Sequence, residues 1–349
     1  MTSLLLTLLL ASPQLEAETI VTGLEIPWGL AFPDEKTILV TERPGRVRIV
    51  KDGKLQAKPL HVLRSVVHTG EAGLMDVELH PEFAKNRWVY FSYSTREGGY
   101  AIEVARFTLR DGALKDRKVI LGKIPAARFH NGCRLGFGPD KKLYITTGDA
   151  VKRNLAQDLG FLGGKTLRLN DDGTIPKDNP FVGRKGARDE IWSYGHRNAQ
   201  GITWHPESGL QFQTEHGPSQ FDGPPGGDEL NLVERGKNYG WPHSMHETVK
   251  PGTEAPLALF TPAAAPAGMA FYQGRLYFAG LRGACLWEIE LEGRKVTRKT
   301  KRLAGQWGRM RAVETGPDGA LYVATSNRDG RGRPRRGDDR ILRVTAKGR

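Results

Sequence analysis

The sequence predicts an all-β chain folded as a six-bladed β-propeller with four-stranded antiparallel blades. Three observations predict it. One pattern recurs six times: a glycine- or proline-marked start, an alternating apolar strand, a turn, a second strand, a turn and a third strand. The copies begin about 45 to 65 residues apart, the length of one blade of three or four short strands. The 349 residues also include 43 Gly and 21 Pro without any low-complexity tract, which fits many tight turns between short strands. One blade cannot bury both of its faces alone, so the six must close into a ring.

The first copy runs through 27–34, 37–42 and 45–50, and the second through 73–81, 88–93 and 103–107. The third is centred on 127–149, where Leu135 and Phe137 alternate before the Gly138-Pro139-Asp140 turn and Leu143, Tyr144 and Ile145 begin the next strand; 165–170 follows. Proline presets φ and aspartate caps its own backbone, so this turn has a mechanism. The fourth copy occupies 200–206, 210–215 and 228–232; the fifth 268–272, 275–279 and 284–289; the sixth 310–319, 321–325 and 340–344. Residues 18–22 are expected to complete the blade begun near Arg311 and so join the chain ends. Between blades, 170–180 is turn-rich, 217–228 is too rich in Gly and Pro for regular structure, 251–266 reads as a linker strap, and the basic 328–336 reads as a mobile solvated loop, with phosphate binding as the lesser alternative.

Leucines at 4–6 and 8–10 make a short apolar run, with Ala17 before a cleavage point. Residues 1–17 are therefore expected as a secretory leader and 18–349 as a single propeller domain, exported to the periplasm or the exterior. No later run reaches the roughly 18 apolar residues of a membrane span. The two cysteines, Cys133 and Cys285, cannot form a disulfide framework or a thiolate metal site, and read as buried small hydrophobes. The net charge of +13 is spread along the chain. Without a basic helix, zinc-finger spacing or aromatic RNP-like run, it points to an anionic surface or small ligand and away from nucleic acid.

For chemistry, Gly132 to Gly138 has the wrong spacing for a dinucleotide fingerprint, and no serine nucleophile elbow is present. What stands out is His130 in a loop of the central stretch, arginines where blades begin, and a Gly217-Pro218 loop near carboxylates. Those parts suit an anionic, carbonyl-bearing cofactor held with a hard cation.

The chain resembles the soluble pyrroloquinoline quinone-dependent aldose sugar dehydrogenases, relatives of soluble glucose dehydrogenase. The resemblance is carried, in order, by His130-Asn131-Gly132 with Arg134-Leu135, Ala156-Gln157-Asp158-Leu159, Gly164-Lys165, Ile175-Pro176-Lys177-Asp178-Asn179-Pro180, Tyr194-Gly195-His196-Arg197-Asn198, Glu215-His216-Gly217-Pro218, Gly226-Gly227-Asp228-Glu229, Gly236-Lys237-Asn238-Tyr239-Gly240-Trp241-Pro242, and Arg309-Met310-Arg311. It implies oxidation of an aldose at C1 to the lactone, with electrons passed through the quinone (PQQ) to an external acceptor. His130 falls where the family has its general base. Arg197, Asn198, Arg309 and Arg311 match residues that contact the quinone, as does Arg282, where the family often has lysine. Gly217 and Pro218 match the pair whose carbonyls hold the active-site Ca²⁺, and Glu229 and Tyr239 match a further calcium-associated pair. Gln157 and Glu71 match positions lining the sugar and quinone pocket, Glu71 standing where glucose dehydrogenase has glutamine. Trp241, like Trp28, reads as core. Residues 220–225 look inserted beside the expected calcium, and the short pocket loops suggest an open cleft. Two alternatives stand beside this reading. A metal-dependent lactonase on a similar propeller would need Asn and carboxylate ligands converging on one ion, and that set cannot be assembled here. A non-catalytic binding propeller would have no need of His130, Arg197, Arg309 and Arg311.

Overall fold

The computed structural model describes residues 14–347. Six antiparallel sheets stand in a ring, and a four-residue turn, Phe83–Asn86, is the only α-helix among the described residues. Blade I is Pro27–Asp34, Thr37–Glu42, Arg46–Lys51 and Lys54–Leu55, with a short fifth strand, His61–Val62. Blade II is Leu74–Leu79, Trp88–Thr95, Ala101–Arg110 and Ala113–Pro125. Blade III is Gly132–Phe137, Leu143–Thr147, Lys165–Leu169 and Ile191–Tyr194. Blade IV is Ala199–Trp204, Gln211–Glu215, Asp228–Val233 and Ala258–Phe260. Blade V is Pro266–Tyr272, Arg275–Gly280, Cys285–Glu292 and Lys295–Arg302. Blade VI is Met310–Thr315, Leu321–Thr325 and Ile341–Ala346, completed by Leu15–Val21 from the other end of the chain.

The innermost strand of each blade touches that of the next, all the way round. The apolar core lies between blades rather than within them. Separate buried clusters fill the I–II, II–III, IV–V, V–VI and VI–I gaps. Between III and IV the packing is aromatic: Tyr144 meets Trp204 edge-on at 5.1 Å, and Gly136 makes room, since a Cβ there would stand 2.8 Å from the Trp204 ring. This explains why the strands nearest the axis are apolar on both sides.

One expectation is corrected. The strap at 251–266 contains the outer strand Ala258–Phe260, paired with residues 228–230. The outermost strands of blades II, III and V were likewise not legible. Lys295–Arg302 shows why: it sits at the rim, mostly exposed, with no apolar alternation to announce it. Both cysteines are buried, as expected, and they are free, which the sequence left open.

Closure of the ring depends on the ladder between Leu15–Val21 and Ile341–Ala346, which runs in one register from Leu15 opposite Ala346 to Thr19 opposite Leu342 and then shifts to put Val21 opposite Ile341. Leu24 and Asp339 then exchange backbone hydrogen bonds, and the Asp339 carboxylate accepts from the Ile26 N–H at 3.1 Å. Most of the expected leader, 1–17, lies outside the described residues, but 15–17 belong to this closing strand. Leu15 and Val21 are buried, each worth about 1.5–3 kcal/mol. Deletion through Val21 is therefore expected to lower the denaturation midpoint and to promote association through the bared edge of Ile341–Ala346. An unchanged midpoint with a monodisperse product would show that the ring closes without this strand.

Candidate active site

The loops that lead into the inner strands all open at one end of the ring. They carry Glu71 before blade II, His130 before blade III, Arg197 and Asn198 before blade IV, Ala263 and Ala265 before blade V, and Arg309 before blade VI. Together they wall a cavity of about 530 Å³, within the size of small-molecule sites.

His130 is held from its backbone, from Nδ1 and from one ring face. Its backbone is left-handed, at φ +59°. Gly148 makes that possible, because a Cβ there would stand 2.0 Å from the His130 carbonyl oxygen. Nδ1 lies 2.8 Å from Asp149 Oδ1, and the other Asp149 oxygen accepts the Trp241 indole N–H at 2.8 Å. Asp149 is wholly buried and its own N–H is held by the Arg197 carbonyl. A carboxylate at Nδ1 selects the tautomer with the proton on Nδ1, which in the neutral ring leaves the lone pair on Nε2. Among the described residues no protein group bonds to Nε2, and the ring lines the cavity. That is the arrangement of an oriented general base. Phe221 stacks against the imidazole at 5.6 Å between centroids.

Glu71 ties the mouth together. Its carboxylate accepts the His130 N–H at 3.1 Å, lies 3.4 Å from the Asn198 amide and pairs with Arg331 at 3.1 Å. Burial opposes its ionisation, but His216, His130 and Arg331 outweigh it and hold the carboxyl at about 2. Arg197 is buried and fully engaged by one loop: Nε on Asp222 at 2.8 Å, Nη1 on the His216 carbonyl, and Nη2 near Ser219 Oγ. Its guanidinium lies 5.4 Å from the Trp241 ring centre. Arg309 is clamped on Asp329 at 2.9 and 2.7 Å.

Arg311 differs. It is buried, gives Nη1 to Gln200 at 2.9 Å, and leaves Nε without a hydrogen-bond partner among the described residues. Desolvation pushes its pKa down to about 9, against the pull of Asp329. Arg282 is exposed at the rim with no side-chain hydrogen bond among the described residues. Gly217 donates its N–H to Asp228 at 2.8 Å, and the other Asp228 oxygen accepts from Ala265.

Thus His130, Arg197, Asn198, Arg282, Arg309, Arg311, Glu71, Gly217 and Pro218 meet in one cavity. Gln157, expected at the quinone and sugar, does not line it. Its amide bonds Asn238 at 3.0 Å and the Trp241 carbonyl at 2.7 Å, so it touches the site through Trp241, whose indole N–H is held by Asp149. Glu229 and Tyr239 also stand apart from it. Burial, with Glu215 opposite on the neighbouring strand, pushes the Glu229 carboxyl up to about 8. The Tyr239 hydroxyl bonds the backbone of Leu232 and Glu234, and its ring stacks on His196 at 4.7 Å.

Sequence reasoning missed several members. Asp149 closes the central stretch, but nothing in the sequence pairs it with His130. Trp241 is buried as expected of core, yet its N–H serves Asp149. The 220–225 segment supplies Phe221 to the wall and Asp222 as the partner of Arg197. Arg331, read as part of a solvated loop, lines the cavity and pairs with Glu71. The signal available for it was a surplus of arginine at a loop between two strands of one blade.

Fold and site together define a β-propeller with a cationic small-molecule site at its channel mouth and one oriented histidine. The model of the glucose/sorbosone dehydrogenase family matches residues 24–342, and the chain belongs to that family. It is 37% identical to an aldose sugar dehydrogenase of Escherichia coli strain K12, over 92% of each chain. Among solved structures it is similar to a Thermus thermophilus protein classed as an oxidoreductase (glucose dehydrogenase), with TM-score 0.91, 46% identity and coverage of 95% and 100% of the two chains. It is also similar to the PQQ-bound aldose sugar dehydrogenase of Streptomyces coelicolor, with TM-score 0.86, 34% identity and coverage of 95% and 99%.

Two outcomes follow from the electrostatics. Arg311→Met removes a buried cation without a carboxylate partner and is expected to stabilise the ligand-free protein by about 1 kcal/mol or more, read as a raised denaturation midpoint; a lowered midpoint would refute the desolvation cost. Glu71 has a folded-state pKa of about 2 against an ordinary 4.5, so its contribution to stability is full above pH 4.5 and is lost as pH falls through 2. Glu71→Gln should therefore flatten the stability profile between those values, measured by denaturation across that range.

Proposed function

We propose that the protein oxidises aldoses at C1 to lactones with PQQ and Ca²⁺, passing electrons to an external acceptor. The observation that carries this reading is His130, held at Nδ1 by Asp149 with Nε2 left unbonded, in the same cavity as Arg282, Arg309 and Arg311. The similarity to PQQ-bound and apo aldose sugar dehydrogenases supports it.

The residues present fit the cofactor. The quinone carries three carboxylates, and the cavity holds more guanidinium than carboxylate; the buried, partnerless Arg311 Nε is a donor that an anionic group would satisfy. Arg197, Asn198, Arg282, Arg309 and Arg311 would hold it. Among the described residues no group of three or more His, Cys, Asp or Glu side chains gathers as a metal site. The oxygens on offer are the carbonyls of Gly217 and Pro218, which suit Ca²⁺. The same loop is kept in shape by Asp228 on the Gly217 N–H. Glu229 and Tyr239 are proposed as a second, structural calcium position.

Bound PQQ would supply the hydride acceptor, polarised by Ca²⁺ as a Lewis acid. The chain does the rest. His130 Nε2 takes the proton of the anomeric hydroxyl, and Asp149 stabilises the imidazolium that results. Trp241, braced by Gln157, holds Asp149 in place. Glu71 is positioned to accept from sugar hydroxyls while Arg331 keeps it ionised.

Export is part of this reading. Among the described residues no helix is long and apolar enough to cross a membrane. Cleavage that keeps the closing strand whole falls before Leu15 rather than after Ala17, which the intact mass of the secreted protein checks.

The deciding experiment is dye reduction with an aldose, with and without PQQ and Ca²⁺. Turnover that requires both is expected; turnover independent of PQQ would sink the reading. His130→Ala should retain the quinone, seen by its absorbance, while kcat falls by about 10²–10⁴. Asp149→Asn should cost up to about 10⁴-fold in kcat with little change in KM, as expected for a residue that sets the tautomer of the base.

A further inference from the structure

A second hollow, of about 330 Å³, adjoins the active-site cavity. The two share Glu71, Phe129, Arg311 and Arg331, and the second adds Arg43 and Arg128. Its charge is out of balance. Four guanidiniums line it against two carboxylates, Glu71 and Asp329, and Asp329 is already committed to Arg309 through two contacts.

Arg43 is the decisive residue. It is only 5% exposed, yet no carboxylate pairs with it. Its Nε donates to His68 Nε2 at 3.0 Å, which requires a neutral imidazole, and among the described residues neither terminal nitrogen donates to any protein acceptor. Burial, and the neighbouring Arg331 and Arg309, hold its pKa below the usual arginine range, with Asp329 and Glu71 opposing. Arg128 and Arg331 each stand 5.4 Å from the centre of the Phe129 ring, so one aromatic side chain aligns both. The backbone is fixed as well. Glu71 N–H bonds the Arg128 carbonyl at 2.8 Å, and Gly70, at φ +58°, admits that carbonyl where a Cβ would stand 2.2 Å away. Preorganised guanidiniums with unspent paired donors match carboxylate and phosphate oxygens.

We infer that this hollow is an anion subsite for the far end of the sugar, so that the preferred substrates are aldoses bearing a carboxylate or phosphate on the carbon most distant from C1. The inference rests on the proposed C1 oxidation at His130. It follows from continuity: Phe129 precedes His130 in the chain, and Glu71 bonds the His130 N–H while lining both hollows. A sugar with C1 at His130 and its ring beside Glu71 extends toward Arg43 and Arg128.

The test uses the protein loaded with PQQ and Ca²⁺. Charge-assisted hydrogen bonds predict kcat/KM for D-glucuronate or D-glucose 6-phosphate about 10- to 100-fold above that for D-glucose at low ionic strength. Which of the two leads tells carboxylate from phosphate. The ratio should collapse at high salt and in Arg43→Gln/Arg128→Gln; Arg128→Gln alone, at an exposed side chain, serves if the double variant fails to fold. Calorimetry with 1,5-anhydroglucitol 6-phosphate, which lacks the anomeric hydroxyl, should show binding to the parent protein and not to the variants. A preference for glucose, a ratio indifferent to the substitutions, or variants that lose quinone affinity but keep the sugar ratio would each overturn the subsite. If no aldose is oxidised but the analogue still binds in an arginine-dependent way, the subsite stands and the dehydrogenase reading fails. Neither turnover nor binding would remove both.

Discussion

Everything at the channel mouth depends on closing the ring. Leu15–Val21 pairs with Ile341–Ala346, so the last blade is assembled from both ends of the chain. The apolar clusters between blades cannot form pairwise in isolation, because each blade carries an apolar face on either side. Only a closed circle covers them all. Closure also brings the entrances of the inner strands to one end, so Glu71, His130, Asn198, Ala265 and Arg309 become neighbours although some 240 residues of chain separate the first from the last.

The second constraint is electrostatic. The mouth gathers buried cations without enough carboxylate to neutralise them. Arg197 has Asp222 and Arg309 has Asp329, but Arg311 and Arg43 have no carboxylate partner. Burying an unpaired charge costs free energy, and a site that tolerates the cost is prepared for an anionic ligand to offset it. The base shows the complementary device. Asp149 has both oxygens engaged, by His130 and by Trp241, so the imidazole is oriented before any substrate arrives. The left-handed backbone at His130 and the missing Cβ at Gly148 are the local means by which the loop presents the ring.

How much of this was legible depended on burial. The three inner strands of each blade were readable because apolar residues alternate or run continuously where they pack between neighbours. Outer strands such as Lys295–Arg302 pack on one side or none and carry no such signal. The strap at 251–266 hid Ala258–Phe260 behind prolines for the same reason. At the site, His130 and the arginines at the blade entrances could be picked out by residue type and motif. Their partners could not. Asp149, Asp222 and Asp329 look like ordinary loop acids, and Arg331 like one of several arginines in a basic loop.

The sequence by itself determined the class of fold and the inventory of reactive groups, because blade periodicity and side-chain chemistry are local properties of the chain. Only the tertiary structure decided which acid meets which base. It placed Asp149 and Trp241 behind His130, set Gln157 outside the cavity in their support, brought Phe221 into the wall and Asp222 onto Arg197, and gathered Arg43, Arg128 and Arg331 around the hollow that Glu71 lines. Those pairings join residues far apart in the chain. They follow from the angle at which six blades meet, which no window of sequence contains.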